Sequence, residues 1–342
     1  MTYNMRTTCV AIAMLAMLAL ASPLEAQAGT SPVIAVAPTP IALSAVPTPP
    51  RSVAAALLPY IGEYTFAADT QIVAEVNGAL VAFTSHGNRT VVPARDFTRV
   101  NGELRLTVAT EQPLVRFAVG TEEGVTFRVK PLRPITELRR NALAATVPAE
   151  TGKRAPELVE LVTLDSTIRL DIRYATDNNF MGAAMYSQGR AFMQRPASEA
   201  VVRANQKLKA FGFGLLIHDA YRPWYVTKMF WDATTGADHE FVANPATGSK
   251  HNRGAAVDLT LYTLADGKPV RMPGGYDEFS HRSYPSYPGG TSLERWRRDL
   301  LRAVMESEGF SVNPSEWWHF DLTGWAEWPI GNIPFEQVGR RP

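Results

Sequence analysis

The chain has 342 residues, 46% of them apolar and 20% charged, with 34 Lys and Arg against 33 Asp and Glu. That balance supports one or two globular domains with real cores, and a formal charge of +1 without a long basic run argues against nucleic acid as a partner. The one cysteine, Cys9, falls in an N-terminal apolar stretch, so disulfides, cysteine catalysis and cysteine-ligated zinc are excluded from the mature chain and only His, Asp and Glu remain as metal ligands.

Behind Arg6, residues 10–21 are almost wholly apolar, and Ala26-Gln27-Ala28 offers a small-residue cleavage site. Such a core is shorter than the roughly 20 residues a bilayer requires. Residues 1–28 are therefore predicted to be a cleaved signal peptide, which implies an exported, periplasmic protein with no membrane span left after cleavage. Residues 29–56, rich in Pro, Ala and Thr, are expected to form an extended, mobile linker.

Short alternating runs then appear in Gln71-Ile72-Val73-Ala74-Glu75-Val76, Glu103-Leu104-Arg105-Leu106-Thr107-Val108 and Val125-Thr126-Phe127-Arg128-Val129. Asn77-Gly78, His86-Gly87-Asn88 and Asn101-Gly102 separate such runs as turns, so residues 57–131 are expected to be a small all-β module, a sandwich or barrel. Its opening, Pro59-Tyr60-Ile61-Gly62-Glu63-Tyr64, resembles the start of lipocalin-like β-domains appended to some bacterial serine hydrolases. That resemblance implies an accessory role beside the substrate or the cell wall, with peptidoglycan fragments as the candidate partner. Residues 132–156 are expected to be a connector.

From residue 157 the texture becomes mixed. Ile168, Leu170 and Ile172 alternate with charged residues as a strand does. Pro196 opens a predicted helix with Ala200, Val201, Ala204, Leu208 and Phe211 on one face and Gly212 as its stop. Gly214-Leu215-Leu216-Ile217 reads as a buried strand running into Asp219-Ala220-Tyr221-Arg222-Pro223. Thr291 and Glu294 have capping-box spacing before a helical repeat of Leu293, Trp296, Leu300, Leu301, Val304 and Met305, which Gly309 ends. Strands and helices do not alternate as βαβ units, so the expected class is α+β.

Three segments carry chemistry. In Val257-Asp258-Leu259-Thr260-Leu261, strand period puts Asp258 opposite three apolar residues, and His251 precedes it across the tight turn that Gly254 permits. The pair suits a metal, although a buried Asp bonded to backbone or Arg is the competing reading. In Glu316-Trp317-Trp318-His319, His319 can be a third ligand and Glu316 a general base, or the segment can be plain core. Residues three apart on a regular strand face opposite ways, so Glu316 is expected in irregular chain after Pro314. Arg222 suits an oxyanion or carboxylate, or an ion pair with Asp219.

Taken together, the Ser-x-His-x-x-Gly-x-Ala-x-Asp pattern from Ser249 to Asp258 and the downstream Glu-x-x-His resemble the zinc D-alanyl-D-alanine dipeptidases and carboxypeptidases. That superfamily shares its fold with the signalling domain of hedgehog proteins. Asp171-Ile172-Arg173-Tyr174-Ala175-Thr176-Asp177, the doubled Trp and Met305-Glu306-Ser307-Glu308-Gly309-Phe310 are similar to the vancomycin-resistance type of dipeptidase. The resemblance implies a zinc domain over residues 157–342, an antiparallel sheet with flanking helices. It implies one Zn2+ on His251, Asp258 and His319, Glu316 as base and proton shuttle, and Arg222 on the oxyanion. It further implies Ser249 on the substrate carboxylate, with Tyr174 and Asp277 on its ammonium. The expected activity is hydrolysis of D,D-dipeptides in cell-wall turnover. A D,D-carboxypeptidase and a non-catalytic zinc-stabilised wall-binding protein are the alternatives. Tyr276, where the family commonly has Phe, and His281-Arg282-Ser283-Tyr284 depart from the pattern at the pocket edge.

Overall fold

Two Asn-Gly dipeptides shape the first sheet. Asn77 and Asn101 sit at φ 51° and Gly78 and Gly102 at φ 87°, the left-handed pair that lets a two-residue turn follow the strand twist. A computed structural model describes residues 39–40, 42–66, 69–84, 89–107, 114–117 and 127–338, all within one compact unit spanning 34–342. The expected signal peptide, Cys9, the turn at His86-Gly87-Asn88 and residues 125–126 lie outside the described residues.

The strands β1 (Gly62–Phe66), β2 (Asp69–Val76), β3 (Ala79–Thr84), β4 (Arg89–Val91), β5 (Phe97–Val100), β6 (Glu103–Leu106) and β7 (Leu114–Phe117) form one antiparallel sheet ordered β4-β3-β2-β1-β7-β6-β5. Alternate residues, among them Tyr64, Val73, Leu80, Ala82, Leu104 and Leu106, build its own apolar core with Val92 and Phe97. The strand expected at 125–129 does not form over its described part. There Val129 N–H donates to Phe180 O, 2.9 Å away in the other half of the chain.

Residues 132–156, expected only to connect, contain α1 (Ile135–Ala144), which buries Leu138 and Ala142. The remaining elements are β8 (Leu158–Glu160), α2 (Leu161–Leu164), β9 (Arg169–Leu170), β10 (Phe192–Gln194), α3 (Arg195–Lys209), β11 (Phe213–Asp219) and α4 (Trp224–Ala233). After them come β12 (Ala256–Thr263), α5 (Ser292–Glu306), β13 (Phe310–Asn313) and β14 (Glu316–Leu322). A five-stranded sheet runs β13-β14-β12-β11-β9, and β8 pairs with β10 separately. The mixed α+β class therefore holds. Among the described residues the pairings are antiparallel, as expected, except that β9 joins β11 in parallel at one edge. The strand expected through Ile172 stops at Leu170, because a 3-10 turn takes over at Arg173–Ala175.

Helix α3 buries Ala200, Val201, Ala204 and Leu208 as its pattern requires, but Phe211 lies past its end and is exposed. Helix α5 carries the capping box in full: Thr291 Oγ1 accepts from Glu294 N–H and Glu294 Oε2 accepts from Thr291 N–H. Part of the stretch expected as a linker lies against α5, with Trp296 Nε1 donating to Pro47 O at 2.7 Å. Among the described residues no helix is long and apolar enough to cross a membrane.

Candidate active site

Sheet register assembles the site. Asp258 is paired with Asp219 on one side and with His319 on the other, so three adjacent strands, β11, β12 and β14, bring their polar residues to one line. Val257, Leu259 and Leu261 turn into the core, which leaves Asp258 on the cavity face, 2% exposed. His251 opens a 3-10 turn that ends in Gly254 at φ 65°, where a Cβ would come within 2.6 Å of Leu158 Cδ2. Only glycine serves there.

Glu316 is the first residue of β14 rather than part of a loop before it. The expected irregularity lies inside the ladder. Val312 pairs with Phe320, yet the next residue, Asn313, pairs with Glu316, so β14 takes extra residues against one step of β13. That bulge lets residues three apart face the same cavity. Trp317 and Trp318 are both buried in the core beside it.

His251 Nε2, Asp258 Oδ1 and His319 Nδ1 lie 3.0–3.2 Å from one another. The other ring nitrogens are already committed. His251 Nδ1 donates to Ala220 O at 2.6 Å and His319 Nε2 to Asp321 Oδ1 at 2.8 Å. In the neutral ring each hydrogen bond fixes a tautomer that turns a lone pair toward the centre. Asp258 Oδ1, fully buried, has no hydrogen-bond donor among the described residues. With both imidazoles neutral, three electron-rich atoms converge, and this set could hold a metal ion. Burial opposes a charge on His319, yet Asp321 and Asp258 push it up to about 10. Burial would likewise raise the Asp258 carboxyl, but His251 and His319 hold it far below the usual carboxylate range. The centre favours positive charge.

Glu316 Oε2 accepts from Asn313 Nδ2 at 3.0 Å. Burial pushes Glu316 up to about 7, with His319 opposing and Asp258 adding to the rise. Arg222 is gripped by Asp219, whose Oδ2 accepts from Nε at 2.9 Å and from Nη2 at 2.7 Å, while Asp219 Oδ1 accepts from Tyr186 at 2.8 Å. The ion pair and the cavity position, alternatives in the sequence, therefore coexist. The guanidinium also lies 5.1 Å from the ring centres of Tyr174 and Phe230. Tyr174 donates to Asp277 Oδ2 at 2.7 Å, and burial together with the Asp258 charge pushes Asp277 well above its ordinary value. Ser249 Oγ accepts from His251 N–H, which leaves its own hydrogen for a ligand.

Tyr174, Arg222, Ser249, His251, Asp258, Asp277, Glu316 and His319 all line one cavity of about 370 Å³. Trp231, His239, Glu240 and Phe241 form another part of its wall, which the sequence did not mark. Asp321 was also missed, although strand period two places it on the face of His319. Asp321 in turn is held by Lys250 at 2.6 Å. Tyr276, the departure from the family pattern, donates to the second oxygen of Asp258 at 3.2 Å.

A buried set of two imidazoles and a carboxylate, with a second carboxylate and a guanidinium alongside, is the equipment of a metal-dependent hydrolase. Residues 154–334 match the family described as D-ala-D-ala dipeptidase. A D-alanyl-D-alanine dipeptidase of Escherichia coli K12 is 35% identical over 174 residues, covering 51% of this chain and 89% of that protein. One from Streptomyces coelicolor is 36% identical over 46% of this chain and 88% of its own length. One from Enterococcus faecium is 31% identical over 45% and 86%. The chain belongs to the D-ala-D-ala dipeptidase family, whose members are metal-dependent peptidases.

Proposed function

We propose that this protein is an exported, zinc-dependent dipeptidase that hydrolyses D-alanyl-D-alanine to free D-alanine during cell-wall peptide turnover. The reading is supported by the eight side chains expected from the sequence that share one cavity, with His251 and His319 against a buried Asp258 oxygen that has no hydrogen-bond donor among the described residues. His251, Asp258 and His319 would hold the ion, and a nitrogen and oxygen donor set of this size suits zinc. The N-terminal pattern at 1–28 supports export to the periplasm.

Zinc bound there supplies Lewis-acid charge and makes water acidic near neutral pH. Glu316 takes the proton of the attacking water and passes it to the leaving amine; Asn313 holds Oε2, which leaves Oε1 for the transfer. Arg222, immobilised by Asp219, donates to the oxygen that gains charge. Ser249 donates to the substrate carboxylate. Burial and the Asp258 charge push the Asp277 carboxyl up, and a substrate ammonium brought to it and to Tyr174 favours its ionised form. A free N-terminus is therefore part of what the site recognises.

The test is purified mature protein assayed on D-Ala-D-Ala and on N-acetyl-D-Ala-D-Ala, before and after chelation. Hydrolysis of the free dipeptide that chelation abolishes and zinc restores supports the reading. Preference for the acylated peptide turns it into a carboxypeptidase, and activity that survives metal removal ends it.

A further inference from the structure

The first sheet lies outside residues 154–334 that match the family, yet it meets the second half of the chain beside the segment that carries Asp277. Glu75, at the end of β2 and 2% exposed, holds four groups at once. Its Oε2 accepts from Ser292 N–H at 2.8 Å and its Oε1 from Gly78 N–H at 2.6 Å. Its carbonyl accepts from Arg295 Nη2 at 2.7 Å, and its own N–H donates to Gly290 O at 3.1 Å. Ser292 is the first residue of α5, so the carboxylate sits where unpaired N–H groups and the helix dipole both favour negative charge. One strand away, Glu63 Oε1 accepts from Tyr287 Oη at 2.9 Å.

Glu63 thus meets the loop of residues 273–291 at Tyr287, while Glu75 meets it with its backbone N–H at Gly290 and holds with its carboxylate Ser292, the residue that follows the loop. Arg295 Nη1 gathers the carbonyls of Pro288, Gly289 and Gly290 at 3.0–3.2 Å, and Arg298 Nη1 holds that of Tyr287 at 2.7 Å. The loop's other end is tied to this one. A Cβ on Gly290, at φ 74°, would stand 3.3 Å from Pro273 Cα, and a Cβ on Gly274 would stand 2.2 Å from Arg282 O. Pro273 and Gly274 lead directly into Tyr276 and Asp277, and Asp277 itself sits at φ 55°, a left-handed conformation that neighbouring structure must enforce.

We propose that Glu63 and Glu75 are positioning residues: with their carboxylates on Tyr287 and on Ser292 at the loop's end, they make the first sheet fix the 273–291 loop and keep Asp277 in the cavity. The proposal rests on the reading of Asp277 as the partner of the substrate ammonium. It gives the N-terminal sheet a role in substrate affinity instead of a separate task on wall polymer. The sheet then acts on binding and not on the chemical step.

Full-length Glu75→Gln and Tyr287→Phe decide it by hydrogen–deuterium exchange and steady-state kinetics. Exchange in 273–291 should quicken by about tenfold in each, with the β11, β12 and β14 segments unchanged. KM for D-Ala-D-Ala should rise about fivefold or more while kcat stays within about twofold, the pattern of lost ground-state binding. A merely structural contact would lower the melting temperature and leave KM alone. Wild-type exchange across 273–291, or quicker exchange with an unchanged KM, overturns the proposal. If Glu75→Gln no longer unfolds cooperatively, Tyr287→Phe, which removes one hydroxyl, decides by the same two measures. A wild-type protein inert on D-Ala-D-Ala would sink the dipeptidase reading alone, because the exchange rates still show whether the sheet holds the loop.

Discussion

Glu316 and Arg222 both carry charge into a buried cavity, and their partners distinguish what each contributes. Glu316→Gln keeps an oxygen for Asn313 and leaves His251, Asp258 and His319 untouched, but removes the proposed proton acceptor. Metal content should stay at the wild-type level while kcat falls by about 10²–10⁴-fold, the usual worth of a general base. The base must be ionised to work, so the wild-type rate should rise as pH climbs through the value of Glu316. Burial pushes that value up to about 7, and a bound cation pulls it back down, so the acid limb of kcat/KM belongs at or below about pH 7. The limb should vanish in the Gln variant. If Arg222 is the oxyanion donor proposed above, Arg222→Ala should lower kcat by about 10²–10³-fold. It should also destabilise the fold, because Asp219 is left buried with Tyr186 as its remaining side-chain hydrogen-bond donor among the described residues.

Elements in this half of the chain are joined by buried polar side chains more than periodicity suggests. Asp165, 9% exposed, accepts from Thr167 Oγ1 at 2.6 Å, Thr167 N at 2.9 Å, Asn205 Nδ2 at 2.9 Å and Gln206 Nε2 at 2.6 Å. Asn205 Oδ1 then accepts from Leu215 N–H, so one helix residue links α2, α3 and β11. Burial raises the Asp165 carboxyl, but the hydrogen bonds from Thr167 and Asn205 and the charge of Lys209 bring it below its ordinary value. A depressed folded-state value means the contribution is whole above about pH 4 and drains away as pH falls further. Asp165→Asn should cost about 2 kcal/mol at neutral pH, with the gap to wild type closing in acid, as urea melts across pH 2–7 would record. The same region shows where sequence reading succeeds. Asp258 was legible because strict alternation in β12 leaves one carboxylate off the apolar face, and His251 because it precedes that strand across the turn at Gly254. Helix α3 was legible because Ala200, Val201, Ala204 and Leu208 repeat at helical spacing, while Asn205, wholly buried, breaks no pattern until its partners are known. Helix α1 escaped because so short an apolar signal, Leu138 and Ala142, looks like any connector. The Glu316 and His319 pair was recognisable by type, but only the β13–β14 bulge explains how both face one cavity, and no local pattern encodes a bulge set by pairing.

At the scale of the molecule, the donor set links parts of the fold that meet only when it is complete. His251 comes from the turn before β12, Asp258 from β12 and His319 from β14, and Asp321 and Ala220 hold the imidazoles from the strand β14 and the chain after β11. An unfolded chain offers no such cluster, so an ion that binds the native arrangement stabilises it by mass action. With free metal at about 1,000 times Kd the gain is about 4 kcal/mol. At roughly 2–4 °C per kcal/mol for a domain of this size, chelation should lower the melting temperature by about 10 °C and zinc should restore it. His319→Ala should abolish the metal response, because the triangle loses a corner and Asp321 loses the imidazole it orients. Glu316→Gln should keep the response in full. Scanning calorimetry of the three proteins across a zinc titration separates these outcomes. A melting temperature indifferent to zinc in the wild type would mean that the convergence of His251, Asp258 and His319 stores no binding energy, and catalysis would then need another source of positive charge.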